Sequence, residues 1–455
     1  MAKVPPEYTL IIGLGVSGQA IARHLTRQGV PFMVADTRES PAGLETFRAA
    51  YPSVEVVCGP LQALDMREAH EIVVSPGVDL RTPGLVEYAN AEGEGPRVLG
   101  EIALFVRACR APIAAITGSN AKSTVTTLLG EMARETGLKT AVGGNLAPPA
   151  LDLLAEAPDA ELFVLELSSF QLETTAGLSA ETAAFLNLCE DHLDRHGDMH
   201  GYRATKQRVF RGARHAVVNA DDAATWPDTD VQEVARFTTL APSGSDWGIA
   251  EHAGEPWLVH GDTPLMSTRR VRMPGRHNHA NALAALAMGT QLGLPLTAMC
   301  SVLERFPGLP HRGELVLERD GVRWINDSKG TNVGATLAAI DGVGPVLEGR
   351  LILLAGGDGK GADFTPLVEP LMRYAREAVV FGRDAPRLEH VMSGRVPVTR
   401  VTDLDAAMRR AQAIACTGDA VMLSPACASL DQFPHYMARG DAFRQWLTQG
   451  GATTC

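Results

Sequence analysis

The chain has 455 residues, 45% of them hydrophobic and 21% charged, which is ordinary for a folded protein and too long for a single core, so two or three domains are expected. A formal net charge of -12 with no basic run argues against a nucleic-acid surface, although loops and helix N-termini can still hold small anions. Neither a signal peptide nor a membrane span is expected, and Cys58, Cys109, Cys189, Cys300, Cys416, Cys427 and Cys455, none at metal-ligand spacing, read as reduced cytosolic thiols.

In chain order, Tyr8 to Ile12 reads as a strand, followed by a turn with Gly13, Gly15 and Gly18. A helix over 17–28 and a strand over 31–35 ending in Asp36 complete a βαβ unit, and 71–75 is a further strand running into Pro76 and Gly77. The glycines match the dinucleotide fingerprint, with Asp36 near the place of a ribose-binding acid. The same turn can serve only to reverse the chain, or hold the pyrophosphate of another nucleotide beside Ser17, Asp36, Thr37 and Arg38.

A second series begins near Leu104, with strands at 111–117, 162–167, 183–188 and 215–219 and helices at 122–135 and 277–288. Between its first strand and helix lies Ile116-Thr-Gly-Ser-Asn-Ala-Lys-Ser-Thr124. Successive backbone N–H groups and a helix N-terminus there can surround phosphate oxygens, with Lys122 neutralising charge and the Ser123 hydroxyl on Mg²⁺. The strict motif has glycine where this chain has Ala121, which is tolerable if that backbone stays helical or extended. A bare structural turn is the alternative. Glu166 ends a strand, where an unpaired buried carboxylate is costly unless it meets a cation. Otherwise it faces solvent. Glu190-Asp-His-Leu-Asp-Arg-His196 is either an exposed loop or a site in which His192 meets a metal and Asp191 or Asp194 orients it. Lys206 is placed near the start of the next helix, and as a cation it is a poor metal ligand.

Phe306-Pro-Gly-Leu-Pro310 breaks both helix and strand and marks a boundary. Beyond it, strands are expected at 322–326, 351–355, 378–381 and 420–423, and helices at 332–340, 364–377 and 403–415. The fold class is therefore α/β in three domains: a Rossmann-like domain over 1–103, a central P-loop ATPase-like domain over 104–309 and a Rossmann-like domain over 310–455. Three polar loops follow strands of the last domain. They carry Asp327, Lys329 and Thr331; Asp358 and Lys360; and Ser429, which is placed near a helix start. Each can be a plain turn, but together they suggest a pocket for acidic groups. Cys427 lacks an oriented base nearby in sequence and reads as a packing residue.

Nine motifs in order carry a resemblance over nearly the whole chain: TGSNAKST at 117–124, LELSSFQLE at 165–173, NLCEDHLDRH at 187–196, YRATKQRVF at 202–210, GRHNHANALAA at 275–285, HRGE at 311–314, NDSKGTN at 326–332, GGDGKGADF at 356–364 and SPACASLDQF at 424–433. The chain resembles the Mur ligase family; within it GGDGKGADF and SPACASLDQF favour the branch that adds D-glutamate, and the lack of a DNPR-like motif argues against the relatives that add diaminopimelate or lysine. The resemblance implies a cytoplasmic, monomeric enzyme of peptidoglycan precursor synthesis with ATP and two Mg²⁺ ions. Its substrates would be UDP-N-acetylmuramoyl-L-alanine and D-glutamate.

By the same resemblance, the UDP substrate lies on Val16, Ser17, Asp36, Thr37, Arg38, Ser75, Pro76, Gly77 and Asn145. ATP lies on Gly118, Asn120, Lys122, Ser123, Thr124, Asn278, Arg312 and Asp327, and D-glutamate on Lys329, Thr331, Lys360, Ser429, Leu430 and Tyr436. Ser123, Glu166, His192 and Lys206 hold metal, Lys122, Glu166, His192 and Lys206 are catalytic, and Lys206 is carbamylated to N6-carboxylysine, which turns a cation into a carboxylate-like group. Two departures are Tyr436, where phenylalanine is expected, and Ala121. An NAD-dependent oxidoreductase and a non-catalytic ATP-binding switch are the rival readings.

Overall fold

The computed structural model describes residues 2–89, 95–273 and 275–449. Cys455 lies outside the described residues. Three large sheets follow one another along the chain, and Ala2–Lys3 pairs with Leu64–Asp65 in a separate two-stranded sheet. The first is built from β1 (Thr9–Ile12), β2 (Phe32–Asp36), β3 (Val56–Cys58), β4 (Glu71–Val74) and β5 (Arg97–Gly100), in the order β3-β2-β1-β4-β5 and all parallel. β1 and β2 are buried at every residue, as a parallel sheet covered on both faces requires. Helix α1 (Val16–Gln28) follows the glycine turn.

That turn shows which glycines the fold needs. Gly13 has φ +97°, and a Cβ there would sit 2.9 Å from Ser75 Cβ; one on Gly18 would sit 1.9 Å from the Gly13 carbonyl oxygen, whereas one on Gly15 meets nothing within 4 Å. Two of the three glycines are set by close packing, Gly13 against the segment after β4 and Gly18 against the turn itself.

After α2 (Glu101–Ala108) comes the largest sheet. Its strands are β6 (Ile113–Thr117), β7 (Thr140–Gly144), β8 (Leu162–Glu166), β9 (Thr182–Phe185), β10 (His215–Asn219), β11 (Glu233–Phe237), β12 (Trp247–His252), β13 (Glu255–His260) and β14 (Thr263–Ser267). The spatial order is β14-β13-β12-β11-β10-β9-β6-β8-β7. β6 therefore lies between β8 and β9, and its loop opens at the carboxyl ends of both. Helices α3 (Lys122–Glu135), α4 (Ala150–Glu156), α5 (Met199–Gln207) and α6 (Arg276–Gln291) pack around it. The antiparallel ribbon β12-β13-β14 departs from the uniform βαβ alternation expected from sequence. Its turns, Ala253-Gly254 and Gly261-Asp262, are two residues each and leave no room for a helix between its strands.

The third sheet has β15 (Glu314–Arg319), β16 (Val322–Asn326), β17 (Leu351–Gly356), β18 (Ala375–Phe381), β19 (Val398–Arg400) and β20 (Ala420–Leu423), in the order β15-β16-β20-β17-β18-β19, with α7 (Val333–Val343) and α8 (Tyr436–Thr448) among its helices. β15 pairs antiparallel and closes one edge. The helix expected over 364–377 is corrected: a helical turn and a helix occupy 365–374, and Ala375–Glu377 begin β18 instead. Ala, Arg and Glu favour helix locally, but Leu351 and Ile352 pair with them, and Arg410 holds Glu377 at 2.8 Å.

The joint between the first two sheets is polar. Arg23 on α1 makes a two-pronged contact with Asp152 on α4 at 2.9 and 2.6 Å, and the Leu151 N–H donates to Glu101 Oε1 at 3.0 Å. Glu101 is 1% exposed, and burial pushes its carboxyl up to about 7 against the pull of hydrogen bonds from Leu151 and Ser17. The folded protein thus keeps a proton that the unfolded chain has released. Stability carried by that proton is full below the ordinary carboxyl pKa and is lost as pH rises to about 7. Glu101→Gln cannot ionise, so its melting temperature is expected to gain on the wild type between about pH 5 and about pH 8. Parallel melting curves for the two proteins across that range would exclude this role for Glu101.

Candidate active site

The loop after β6 turns back on itself around the Gly118 carbonyl. Two ammonium groups reach that one oxygen: Lys122 Nζ at 2.8 Å and Lys206 Nζ at 2.8 Å, and Lys122 also donates to the Ser119 carbonyl at 3.0 Å. Lys206 lies in the last turn of α5, not near its start as expected from sequence, because Asp198 caps the helix earlier through the Gly201 N–H. It is 1% exposed. Burial and the neighbouring Lys122 hold its pKa well below the ordinary lysine value, and burial lowers that of Lys122 as well.

Ala121 caps α3 with φ 67°, in the left-handed region rather than the helical or extended backbone expected for it. The turn keeps the shape that glycine gives it and imposes that shape on alanine, at a cost of roughly 1 kcal/mol. Ala121→Gly is therefore expected to raise the thermal midpoint of the transition that melts the central sheet. A lower or unchanged midpoint in calorimetry would count against strain at this position.

Glu166 ends β8 beside the loop and is 3% exposed. The solvent-facing alternative is thereby removed. Its Oε2 accepts the Ser123 hydroxyl at 2.5 Å and its Oε1 accepts the Asn145 amide at 2.6 Å, while Arg312 Nη2 donates to Ser123 Oγ at 2.6 Å. His192 lies edge-on to Phe170 at 4.9 Å between ring centroids, and its Nε2 is 3.6 Å from Asp191 Oδ2. Burial pushes His192 down to about 4, so the imidazole is neutral near pH 7, as a ligand must be. The backbone carbonyl of Asp194, the other candidate for orienting it, accepts from Arg81 at 2.9 Å.

The third sheet closes over this centre. Asn120 and Asn332 exchange amide hydrogen bonds at 3.3 and 3.2 Å, Asn332 also donates to Asp191 at 3.3 Å, and Lys360 Nζ reaches Asp191 Oδ1 at 3.3 Å. Asn332 caps α7 through its Oδ1, which accepts the Ala335 N–H. Asn187 Oδ1 accepts the Asn120 N–H at 2.8 Å. Neither Asn332 nor Asn187 stands out in the sequence. Their motifs do, but their partners come from distant segments. Asp327 accepts from Ser424 at 2.7 Å and from the Gly313 N–H at 3.1 Å, and burial pushes it up to about 7.

One cavity of about 700 Å³ joins these groups. Lys122, Ser123, Thr124, Asn145, Glu166, His192, Lys206, Asn278, Arg312, Asp327, Lys329, Thr331 and Lys360 all line it, together with Asn120. An apolar lobe adds Phe237, Met273, Leu315 and Val346, which no sequence motif announces. Ser429, Leu430 and Tyr436 are absent from the lining, though Lys329 Nζ lies 4.3 Å over the Tyr436 ring. Ser429 is not at a helix start. It anchors a turn whose Gln432 and Phe433 N–H groups bond its carbonyl, and α8 begins at Tyr436, capped by His435.

Val16, Ser17, Asp36, Thr37, Arg38, Ser75, Pro76 and Gly77 gather at the strand ends of the first sheet, apart from this cavity. There Asp36 accepts the Leu14 N–H at 2.7 Å and a two-pronged contact from Arg38, while Ser75 Oγ donates to the Gly13 carbonyl. Asp36 is thus engaged in holding the turn, which weakens the reading of it as a free ribose-binding acid. Among the described residues no three His, Cys, Asp or Glu side chains form a metal-holding group. Glu166 and Ser123 nevertheless present oxygen donors suited to Mg²⁺, an ion that keeps water and phosphate oxygens in its shell.

Three α/β sheets with a phosphate loop, a buried carboxylate and a cation-rich third loop set define a nucleotide-using enzyme of ligase type. Residues 7–98 match the description "Mur ligase MurD-like, N-terminal domain", residues 116–289 "Mur ligase middle domain" and residues 311–427 "Mur ligase, glutamate ligase domain". The chain belongs to the Mur ligase family. It is 75% identical over 455 residues to the UDP-N-acetylmuramoylalanine–D-glutamate ligase of Chromohalobacter salexigens, covering 100% of both chains. Identity is 52% over 438 residues to the ligase of the same name from Pseudomonas aeruginosa, covering 96% of this chain and 97% of that one. Among solved structures, UDP-N-acetylmuramate–alanine ligase from Thermotoga maritima superposes with a TM-score of 0.58 at 16% identity, over 97% of this chain and 99% of that one, which establishes the shared fold.

Proposed function

We propose that this chain joins D-glutamate to UDP-N-acetylmuramoyl-L-alanine at the expense of ATP, in peptidoglycan precursor synthesis. The observation that carries this reading is the single cavity in which the phosphate loop, Glu166 and the Lys329–Lys360 pair meet, in a chain 75% identical end to end to a ligase of that name.

The domain over 1–103 would hold the UDP part, that over 104–309 the phosphates of ATP, and that over 310–455 the amino acid and part of ATP. A carboxylate is a poor acyl donor. The muramoyl-alanine carboxylate oxygen therefore attacks the γ-phosphorus, ADP leaves, and an acyl phosphate forms. The amine of D-glutamate then attacks the acyl carbon, loses a proton and expels phosphate. Lys122 and the loop N–H groups hold the phosphates in line, and Arg312 approaches the same oxygens through its place beside Ser123. Mg²⁺, two ions in this reading, would supply charge neutralisation from positions on Ser123 and Glu166 and on His192 and modified Lys206. With its pKa near 4, His192 is a weak base for the incoming amine and better suited to ligation.

Lys206 would be carbamylated. In its unprotonated form the Nζ bonds to the carbon of CO₂, one C=O electron pair moves to oxygen, and the nitrogen releases a proton. The product is an anion beside Lys122, where two lysine nitrogens now share one carbonyl. The enzyme would work as a monomer in the cytoplasm; among the described residues no helix is long and apolar enough to cross a membrane.

The test is an ATP- and Mg²⁺-dependent ligation assay over a panel of UDP-muramoyl acceptors and D- and L-amino acids. Phosphate release is expected only with UDP-N-acetylmuramoyl-L-alanine and D-glutamate together. Equal turnover with L-glutamate or diaminopimelate would sink the specificity, and release without acceptor would favour a nucleotide switch. Reduction of a nicotinamide would favour the oxidoreductase.

A further inference from the structure

The loops that carry Lys329, Lys360 and Ser429 converge on one buried cation. Arg439, on α8, has 0% of its surface exposed. Its Nε donates to Ser328 Oγ at 3.0 Å and its Nη2 to the Ser328 carbonyl at 2.8 Å. Nη1 and Nη2 reach the Cys427 carbonyl at 3.1 and 3.2 Å, and Nη1 reaches the Gly356 carbonyl at 3.4 Å. One guanidinium thereby fastens the ends of β16, β20 and β17, three adjacent strands of the sheet.

Every one of these acceptors is neutral. Asp327 and Asp431 act on Arg439 only through space, and burial draws its pKa down to about 10, leaving it cationic at neutral pH. A buried guanidinium without a bonded carboxylate carries a large desolvation cost. Neutral side chains could tie three carbonyls without that cost. The retained charge therefore points outward, to something the loops hold.

Those loops present Lys329 and Lys360 to the cavity. Ser328 Oγ, while accepting from Arg439, donates to the Tyr436 carbonyl at 2.8 Å, and the Tyr436 ring lies beneath Lys329 Nζ. A continuous chain thus runs from Arg439 through Ser328 and Tyr436 to the ammonium group at the cavity wall.

We propose that Arg439 is a positioning residue for the amino-acid site, holding the three loops in register and setting a fixed positive field beneath them that selects a dicarboxylate. This rests on the ligase reading above. The substrate's two carboxylates meet two lysines at the surface and a third, unscreened charge behind them, in a region of low dielectric where its field reaches far.

Full-length Arg439→Met, Arg439→Lys and Ser328→Ala should be compared with wild type for kcat, for KM toward each of the three substrates and for thermal midpoint. The KM for D-glutamate is expected to rise about tenfold or more in Arg439→Met, with KM for ATP and for the UDP substrate within about twofold of wild type. Arg439→Lys keeps the charge and loses the fork, and should recover part of that rise. Should Arg439→Met fail to fold, Ser328→Ala decides, since it removes one hydroxyl and leaves the guanidinium; a rise of about threefold confined to D-glutamate is expected. A uniform fall in kcat with every KM unchanged, or lysine no better than methionine in a folded pair, overturns the proposal. A wild type that does not ligate D-glutamate overturns the ligase reading with it, whereas an active wild type with indifferent variants overturns this inference alone.

Discussion

Lys206→Ala is expected to lower ligation on the order of 10²–10³-fold, and millimolar acetate or formate is expected to restore part of it. The argument begins with position. Lys206 is enclosed, and its Nζ sits on the Gly118 carbonyl that also receives Lys122. Two cations on one oxygen repel, and each loses solvation, so the pKa of both is lowered, that of the enclosed Lys206 well below the ordinary lysine value. An unprotonated amine is the form that captures CO₂. Once it has done so, the charge at that place changes sign and Lys122 becomes a partner rather than a competitor.

Alanine removes the amine and leaves a gap beside the Tyr202 ring, over which Lys206 Nζ lies at 4.7 Å. A small carboxylate fits the chemistry of that gap, whereas a small amine does not. Intact-mass analysis of the native protein should also show the added mass of one CO₂, lost on acidification. Full activity in Lys206→Ala, or rescue by amines as good as by carboxylates, would remove the carbamate from the mechanism.

Much of this centre is legible in the amino-acid sequence because its parts are local. The phosphate loop, Glu166 and the 190–196 cluster each follow a strand, and strand ends in a parallel sheet meet at one edge. Legibility fails where distant segments decide. Asn120 and Asn332 are 212 positions apart, and nothing in either motif says that the two amides pair. Nothing in the sequence singles out Arg439; only its burial and its hydrogen bonds show that it serves three loops. Ala375–Glu377 has helical composition and becomes a strand because β17 offers a backbone to pair with. Around Ser429 the helix-start signal is present but lies a few residues further on, where Pro434 and His435 stand just before the true start. Ala121 shows the opposite failure. Residue preference argues for an ordinary backbone, and the loop holds a left-handed one.

Glu166→Gln is expected to abolish ligation, by about 10³-fold or more, with a loss of stability of no more than about 1–3 kcal/mol. The substitution is nearly isosteric, so packing of the end of β8 survives. What it changes is polarity at two atoms. Both carboxylate oxygens already accept hydrogen bonds, one from the Ser123 hydroxyl and one from the Asn145 amide. A glutamine satisfies one of these and turns an N–H toward the other, setting donor against donor in a closed site. It also removes the negative charge that faces Lys122, Lys329 and Arg312 across the cavity, so phosphate would be drawn in more strongly while metal would be held less. KM for ATP is therefore expected to stay level or fall as kcat collapses, the signature of an interaction made mainly in the transition state. Raised Mg²⁺ should recover part of the activity if weakened metal binding is the cause. A Glu166→Gln enzyme with wild-type kcat, or one whose loss appears wholly in KM for ATP, would place this carboxylate outside the phosphoryl-transfer step.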